Sequence, residues 1–484
     1  MAASVASVDL YFESQGNRSP CGQSPEFYRQ RLLTDSRRVF SDNEGNVHIL
    51  SWPTEATEID LSVDIKSSAS LKSFLQGIST QRRHFVYAIR QKHTWDNLSI
   101  TRDLLLSLLT LNDVFLPFLD CVHAFGFRMN DDDEVWEGYQ KSCTWDSFEK
   151  HQRLIACELS YTYSYVTTNG RSEGPTWSLR QTAVYHKMNV QTGCSIWILI
   201  QPSQPSWMRF KKLVPLTGTS GAMDAHLIFL NEATVGWKGF LGHLRPTFAE
   251  LDEKASFARV GQKRNDDYSV SVADGQRLHK FRQKLSRSLI VLDGTKEVIS
   301  GFGSHLRRVE PAHTACRSHP HVHDNLEELL SSVRYYRSVI QSLVESSAGT
   351  AALLKQIPDY RLMEELGQSS RSLEASMMIL RSIAAATQDK NENLLRLATQ
   401  SRKDSIRVRT LTLITIFYLP ATLLATIFSS NLVDTQPLNE GSQPTKLVIT
   451  SQFWIYVVVA VLATLLTMTV PFALEKREKS ALDR

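Results

Sequence analysis

The chain has 484 residues, of which 42% are hydrophobic and 21% charged, with a formal net charge of +4. These are the proportions of a folded protein with room for two or three domains. Lys and Arg are spread along the chain rather than striped, which argues against a nucleic-acid-binding protein.

The start, MAASVASVDLYFESQGNRSP, has neither a basic n-region nor a sustained apolar core, so no secretory signal is expected. Residues 1–60, with scattered Ser, Gly and Pro, read as a mostly flexible lead. Six cysteines at 21, 121, 143, 157, 194 and 316 form no CxxC pair and read as reduced thiols of a cytosolic domain.

A cytosolic α/β domain is expected over 61–310. The run Asp131-Asp132-Asp133-Glu134 has two readings: an intracellular site for a divalent ion, since carboxylate oxygens suit magnesium, or a solvated turn. Leu154–Val166, Trp177–Asn189 and Cys194–Gln201 alternate apolar and polar residues and are rich in aromatic and β-branched types, which predicts strands. Asn169-Gly170 and Gln191-Thr192-Gly193 are turn signals between them, so an antiparallel meander is expected. Helical patterns follow at about 225–255, 274–308 and 324–355, with connections at 203–220 and 310–323. The second connection holds His313, Cys316, His319, His321 and His323 before Asp324. It reads either as a zinc cluster or as a plain solvent loop, and its spacing fits no common zinc module. A search for P-loop, GxSxG, HExxH and GxGxxG patterns finds none, so no enzyme is expected.

Residues 324–410 read as a helical bundle and stalk. From Ser369 to Phe428 the only proline is Pro420 and there is no glycine. Alternating steps of four and three from Leu373 pass through Met377, Leu380, Ala384, Thr387, Asn391, Leu394, Ala398, Ser401, Ser405 and Val408. They continue through Thr412, Thr415, Leu419, Thr422 and Thr426. This repeat keeps one face toward one axis and predicts a stave of an oligomeric bundle. Threonines inside a membrane span either face a protein interior or bond to their own helix backbone, and both readings stay open here.

Leu411–Phe428 has no charged residue in 18 positions and Phe453–Leu474 none in 22. Runs of this length predict transmembrane helices at 411–431 and 453–474, the alternative being two buried core helices of a soluble protein. Arg402, Lys403, Arg407 and Arg409 precede the first run, and Lys476, Arg477, Lys479 and Arg484 follow the second. The loop 432–452 between them has one basic residue, Lys446. The excess of positive charge puts both termini in the cytosol (or an organelle's matrix), the loop outside and a basic tail, 475–484, inside. The expectation is therefore a two-pass integral membrane protein. Trp454 and Tyr456 would sit at the outer interface.

The segment LTLITIFYLPATLLATIFSSN resembles the first membrane helix of the CorA-type magnesium transporter family, with its apolar run, Pro420, Thr422 and a small-polar-Asn ending. The resemblance extends to the basic-ended stalk helix, the short external loop, the FWIY start of the second helix and the basic tail, over about Asp324–Lys479. Stretches such as WSLRQTAVYHKMN and WILIQP are similar to the fungal CorA-like proteins. The resemblance implies an α+β cytosolic domain, a long stalk helix and two C-terminal transmembrane helices, assembled as a homo-pentamer whose first helices line the pore. It implies that Asn431 is the Asn of the family's Gly-Met-Asn triplet, with Ser429 in place of Gly and Ser430 in place of Met. The expected pore wall is Val408, Thr412, Thr415, Leu419, Thr422 and Thr426, and the expected entrance Ser429, Ser430 and Asn431. Magnesium keeps its water, so neutral side-chain oxygens at such a mouth would contact the hydrated ion. The expected function is passive magnesium flux through an oligomeric pore in the bilayer, with no cofactor and with Mg2+ as cargo and candidate regulator. The alternative is a non-conducting scaffold or sensor that kept the stalk and the helices.

Overall fold

The structure is a computed structural model describing residues 11–13, 15, 23–42, 45–78, 83–128, 137–146, 153–170, 176–217, 221–259, 267–312, 318–319, 321–429, 433–436 and 446–449, with ten positions between 453 and 469. Two compact units are present, Met1–Glu364 and Glu365–Arg484.

The first unit is built on one seven-stranded sheet. Helix α1 (Pro25–Thr34) starts where the Ser24 hydroxyl accepts the Phe27 amide at 3.2 Å, with proline tolerated in the first turn. It is followed by α2 (Ser36–Val39), β1 (Val47–Pro53), β2 (Leu61–Ile65), α3 (Ser68–Gln76) and β3 (Arg83–Ile89). Next come α4 (Arg102–Leu111), α5 (Phe118–His123), β4 (Tyr139–Asp146), β5 (Arg153–Thr168), β6 (Trp177–Asn189) and β7 (Ser195–Ile200). The strand order is β2-β1-β3-β7-β6-β5-β4. All pairs are antiparallel except β3–β7, where Phe85–Ile89 runs parallel to Ile196–Ile200.

The predicted meander is present as β5-β6-β7. Gly170 and Gly193 hold φ of 68° and 72° at its two turns, a left-handed backbone that glycine adopts without a Cβ penalty. The flexible lead is corrected. Residues 25–53 form α1, α2 and β1, because Val47, Ile49, Leu50 and Trp52 are apolar on both faces of a strand covered on both sides. The connection at 203–220 is corrected as well. Gln204–Thr217 is helix α6, with Pro205 in its first turn, a position that loses no helical hydrogen bond.

Helices α7 (His226–Val235) and α8 (Trp237–Phe257) divide the predicted 225–255 pattern at Gly236, where a Cβ would meet the Val166 carbonyl. Helix α9 (Val272–Val309) starts at a capping box in which the Asp274 carboxylate accepts the Ser271 amide at 3.0 Å. Side chains from alternate strand positions feed two cores. Leu50, Val86, Tyr161, Val184 and Trp197 face α6–α9 and the first turns of α10 (His321–Ser429). Ile49, Tyr87, Tyr185 and Ile198 face α1, α4 and α5.

Helix α10 runs for 109 residues without interruption, which merges the predicted 324–355 helix, the stalk and the first apolar run into one element. In the second unit, β8 (Val433–Gln436) pairs antiparallel with β9 (Lys446–Ile449) inside the predicted external loop. Among the described residues no helix is long and apolar enough to cross a membrane. The first uncharged run, 411–428, lies on α10, whereas most of 453–474 falls outside the described residues.

Candidate functional site

Two groups of residues invite a functional reading, one in each unit. In the second unit, Val408, Thr412, Thr415, Leu419, Thr422 and Thr426 lie on α10 and are exposed. Each threonine hydroxyl donates to its own helix four residues back: Thr412 to Val408 O at 2.7 Å, Thr415 to Leu411 O at 2.6 Å, Thr422 to Tyr418 O at 3.0 Å and Thr426 to Thr422 O at 2.7 Å. The hydroxyl protons are thus satisfied locally. Each oxygen keeps acceptor capacity for water or a hydrated ion. Ser429 closes the helix. Ser430 and Asn431 lie outside the described residues, as does the Asp131, Asp132, Asp133, Glu134 run. Basic residues precede the run, and Arg407 is paired with Asp404 at 3.5 Å.

Among its described residues, the histidine-rich connection does not gather. His313 and Cys316 lie outside the described residues. His319 is bound to Asp224, and His323 Nε2 meets Glu310 Oε2 at 2.9 Å. Among the described residues no group of His, Cys, Asp and Glu side chains could hold a metal ion.

The first unit holds two buried polar clusters that motif searching missed. On one face of the sheet, the Glu158 carboxylate accepts the Tyr185 hydroxyl at 2.7 Å and the Phe115 amide at 3.2 Å, with Lys187 Nζ 3.7 Å away. Lys187 also donates to Asp113 O at 2.7 Å. On the other face, Tyr161 Oη lies 2.9 Å from His226 Nδ1, His226 Nε2 3.0 Å from His186 Nδ1, and His186 Nε2 3.4 Å from Ser195 Oγ. The His186 ring stacks on Trp197 at 3.8 Å. His84 and His305 are buried on the same side, and both are pushed down to about 4 by burial. Burial also holds His186 and His226 well below the usual histidine range. At neutral pH all four rings are uncharged.

The usable sequence signal was the two-residue period. His186 falls in step with Val184 and Met188, and His84 with Val86 and Ala88, so both point into the core with their apolar neighbours. Glu158 begins a polar stripe with Ser160, Thr162 and Ser164 on the opposite face of β5.

No curated protein matches the chain. Among solved structures, it is similar to the CorA magnesium transporter of Methanocaldococcus jannaschii at 13% identity and TM-score 0.30, over 88% of this chain and 96% of that one. It is similar to the ZntB cytoplasmic domain of Vibrio parahaemolyticus at 11% identity and TM-score 0.33, over 65% and 99%. The full-length CmaX protein aligns at 8% identity and TM-score 0.35, over 89% and 98%. Values this low leave the assignment to the family profile. The profile of the CorA-like transporters matches residues 3–255, the half of the chain where the sequence resemblance was weaker. That match spans more than half of the 484 residues, and the chain belongs to the CorA-like transporters.

Proposed function

We propose that the protein conducts divalent cations, with magnesium as the cargo, passively through a pore shared by several copies of the chain. The observation that carries this reading is the layout of α10. One helix bears an apolar seam from Leu373, a basic collar at Arg402–Arg409 and an uncharged run with four threonines on the seam. Membership of the CorA-like transporters supports transport as the activity. Two runs per chain cannot enclose a pore, so symmetry must supply the wall, and a pentamer is the assembly proposed. In this reading 411–431 and 453–474 cross the bilayer, with the termini on the cytosolic side. Val408, Thr412, Thr415, Leu419, Thr422 and Thr426 line the axis. Ser429, Ser430 and Asn431 form the mouth, where neutral oxygens contact the ion's bound water. Of the two remaining acids in the loop, Asp434 lies on β8. The Ser-Ser-Asn ending and its place in the fungal subfamily belong to this proposal too, as does the absence of enzymatic activity.

The test is magnesium influx into vesicles carrying the purified full chain, beside an Asn431→Ala variant. Influx in the wild type that falls in the variant is expected. No influx in the wild type leaves only the scaffold reading. Influx equal in both removes Asn431 from the mouth. A monomeric mass in mild detergent overturns the shared pore.

A further inference from the structure

Four histidines from four neighbouring elements meet beneath α7 and α9, and none is used by the proposed transport. His84 comes from β3, His186 from β6, His226 from the first turn of α7 and His305 from α9. Ser195 of β7 ties two of them together: its amide donates to His84 Nδ1 at 3.1 Å and its hydroxyl lies 3.4 Å from His186 Nε2. His226 packs at 4.6 Å from Trp197 and 4.8 Å from Phe302 of α9, so sheet, α7 and α9 share one ring cluster. All four histidines are at most 2% exposed.

The hydrogen-bond chain Tyr161–His226–His186–Ser195 is complete with both imidazoles neutral, in either direction of donation. A second added proton would set two N–H groups against each other across the 3.0 Å link. Neither nitrogen of His305, nor Nε2 of His84, has a hydrogen-bond partner among the described residues. Among the described residues, no anion acts on any of the four rings. The groups that act on His186 are His305 and His84, and those acting on His226 are His186 and His305. On His305 they are Lys141 of β4 and Arg308 of α9, both cationic. Neutral side chains of the same core come from the other elements packed there: Tyr139 of β4, Tyr161 of β5, Phe210 of α6 and Val322 and Leu326 of α10. A buried charge without a partner is strongly disfavoured.

We propose that His84, His186, His226 and His305 form a proton-sensitive lock that seats α7 and α9 on the sheet and releases them on acidification. In the released state the rings meet water and protonate near 6.5, whereas seated they stay neutral, so protons pull the equilibrium toward release as pH falls below that value. Helix α9 carries Asp293, whose carboxylate holds Arg337 of α10 at 2.6 Å, so release of α9 also loosens the start of α10. The lock does not depend on what the chain transports.

The experiment is hydrogen exchange by mass spectrometry on the full chain at about pH 7.5 and about pH 5.5, corrected for the intrinsic pH dependence of exchange. The opening equilibrium of peptides in 226–235 and 295–309 is expected to rise about tenfold for each histidine released, up to about ten-thousandfold for all four. Peptides from 373–400 of α10, which contain no histidine, are the control and should not change. His305→Leu leaves no polar atom unpaired and should remove about tenfold of the rise. If that variant does not fold, His84→Gln serves, since its amide oxygen can accept the Ser195 amide. A wild-type response below threefold overturns the lock. So does a variant whose rise equals that of the wild type.

Discussion

The two units use apolar residues in opposite ways. In Met1–Glu364, Trp52, Trp197, Trp237 and Phe302 are at most 1% exposed, packed between the sheet and its helices. In Glu365–Arg484, Leu373, Leu380 and Leu394 are more than 60% exposed along α10, although they recur with the regularity of a packed seam. The first unit therefore satisfies its own apolar surface. The second presents a surface of the kind that other copies of a chain cover. In the proposed reading a single-chain fold and an assembly element lie in one sequence, and substitutions should separate them.

The largest expected effect tests the self-sufficient core. Trp197→Ala should lose about 3–5 kcal/mol of stability in urea unfolding, since it opens a large cavity against His186 and Phe210. Leu373→Ala should change the stability of the first unit by less than ~0.5 kcal/mol, yet weaken assembly in detergent measured by mass. Equal losses in the two variants would erase the distinction between the units. Next is the buried ion pair. Lys187→Met should cost ~3–5 kcal/mol, because it removes the cation paired with the buried Glu158 carboxylate. Double substitution with Glu158→Gln should recover part of the loss.

A third comparison concerns pH. The Glu137 carboxyl is buried against Gly294 of α9 and burial pushes it up to about 8. Native Glu137 therefore holds a proton that the unfolded chain has released above about 4.5. Its stabilising contribution is complete below that pH and is lost as pH rises through about 8. Unfolding between about pH 7 and 8, above the range where histidines change charge, should show a decline on the order of 1 kcal/mol per unit that Glu137→Gln flattens. The smallest structural effect is expected at Thr415→Val. The hydroxyl bonds to Leu411 O of its own helix, so stability should move by less than ~0.5 kcal/mol. Magnesium flux should still change if this side chain lines the axis. Unchanged flux would take Thr415 off the pore wall.

What was legible in the sequence was local and periodic. Alternation in LIACELSYTYSYV and turn glycines at 170 and 193 marked β5–β7, and the four-three repeat marked the long helix. The family likewise was legible, although its profile matches residues 3–255 rather than the C-terminal segment that carried the resemblance. The N-terminal strands were not legible. Val47–Pro53 and Arg83–Ile89 are short, and their place depends on the parallel pairing of β3 with β7, more than 100 residues later. No local pattern encodes a partner at that distance. The same holds for the buried clusters. Glu158 and Lys187 meet because β5 and β6 pair Glu158 with Lys187, and Asp113 arrives from the loop after α4.

The sequence by itself determined the helix-forming repeat, the two uncharged runs, their basic flanks and the meander, since each follows from composition and spacing along a few turns of chain. Only the tertiary structure decided that residues 25–53 join the core, and that His84, His186, His226 and His305 share one buried interface. The reason is that a histidine's charge depends on what surrounds it. Those surroundings come from strands and helices far apart in the chain that the fold brings together.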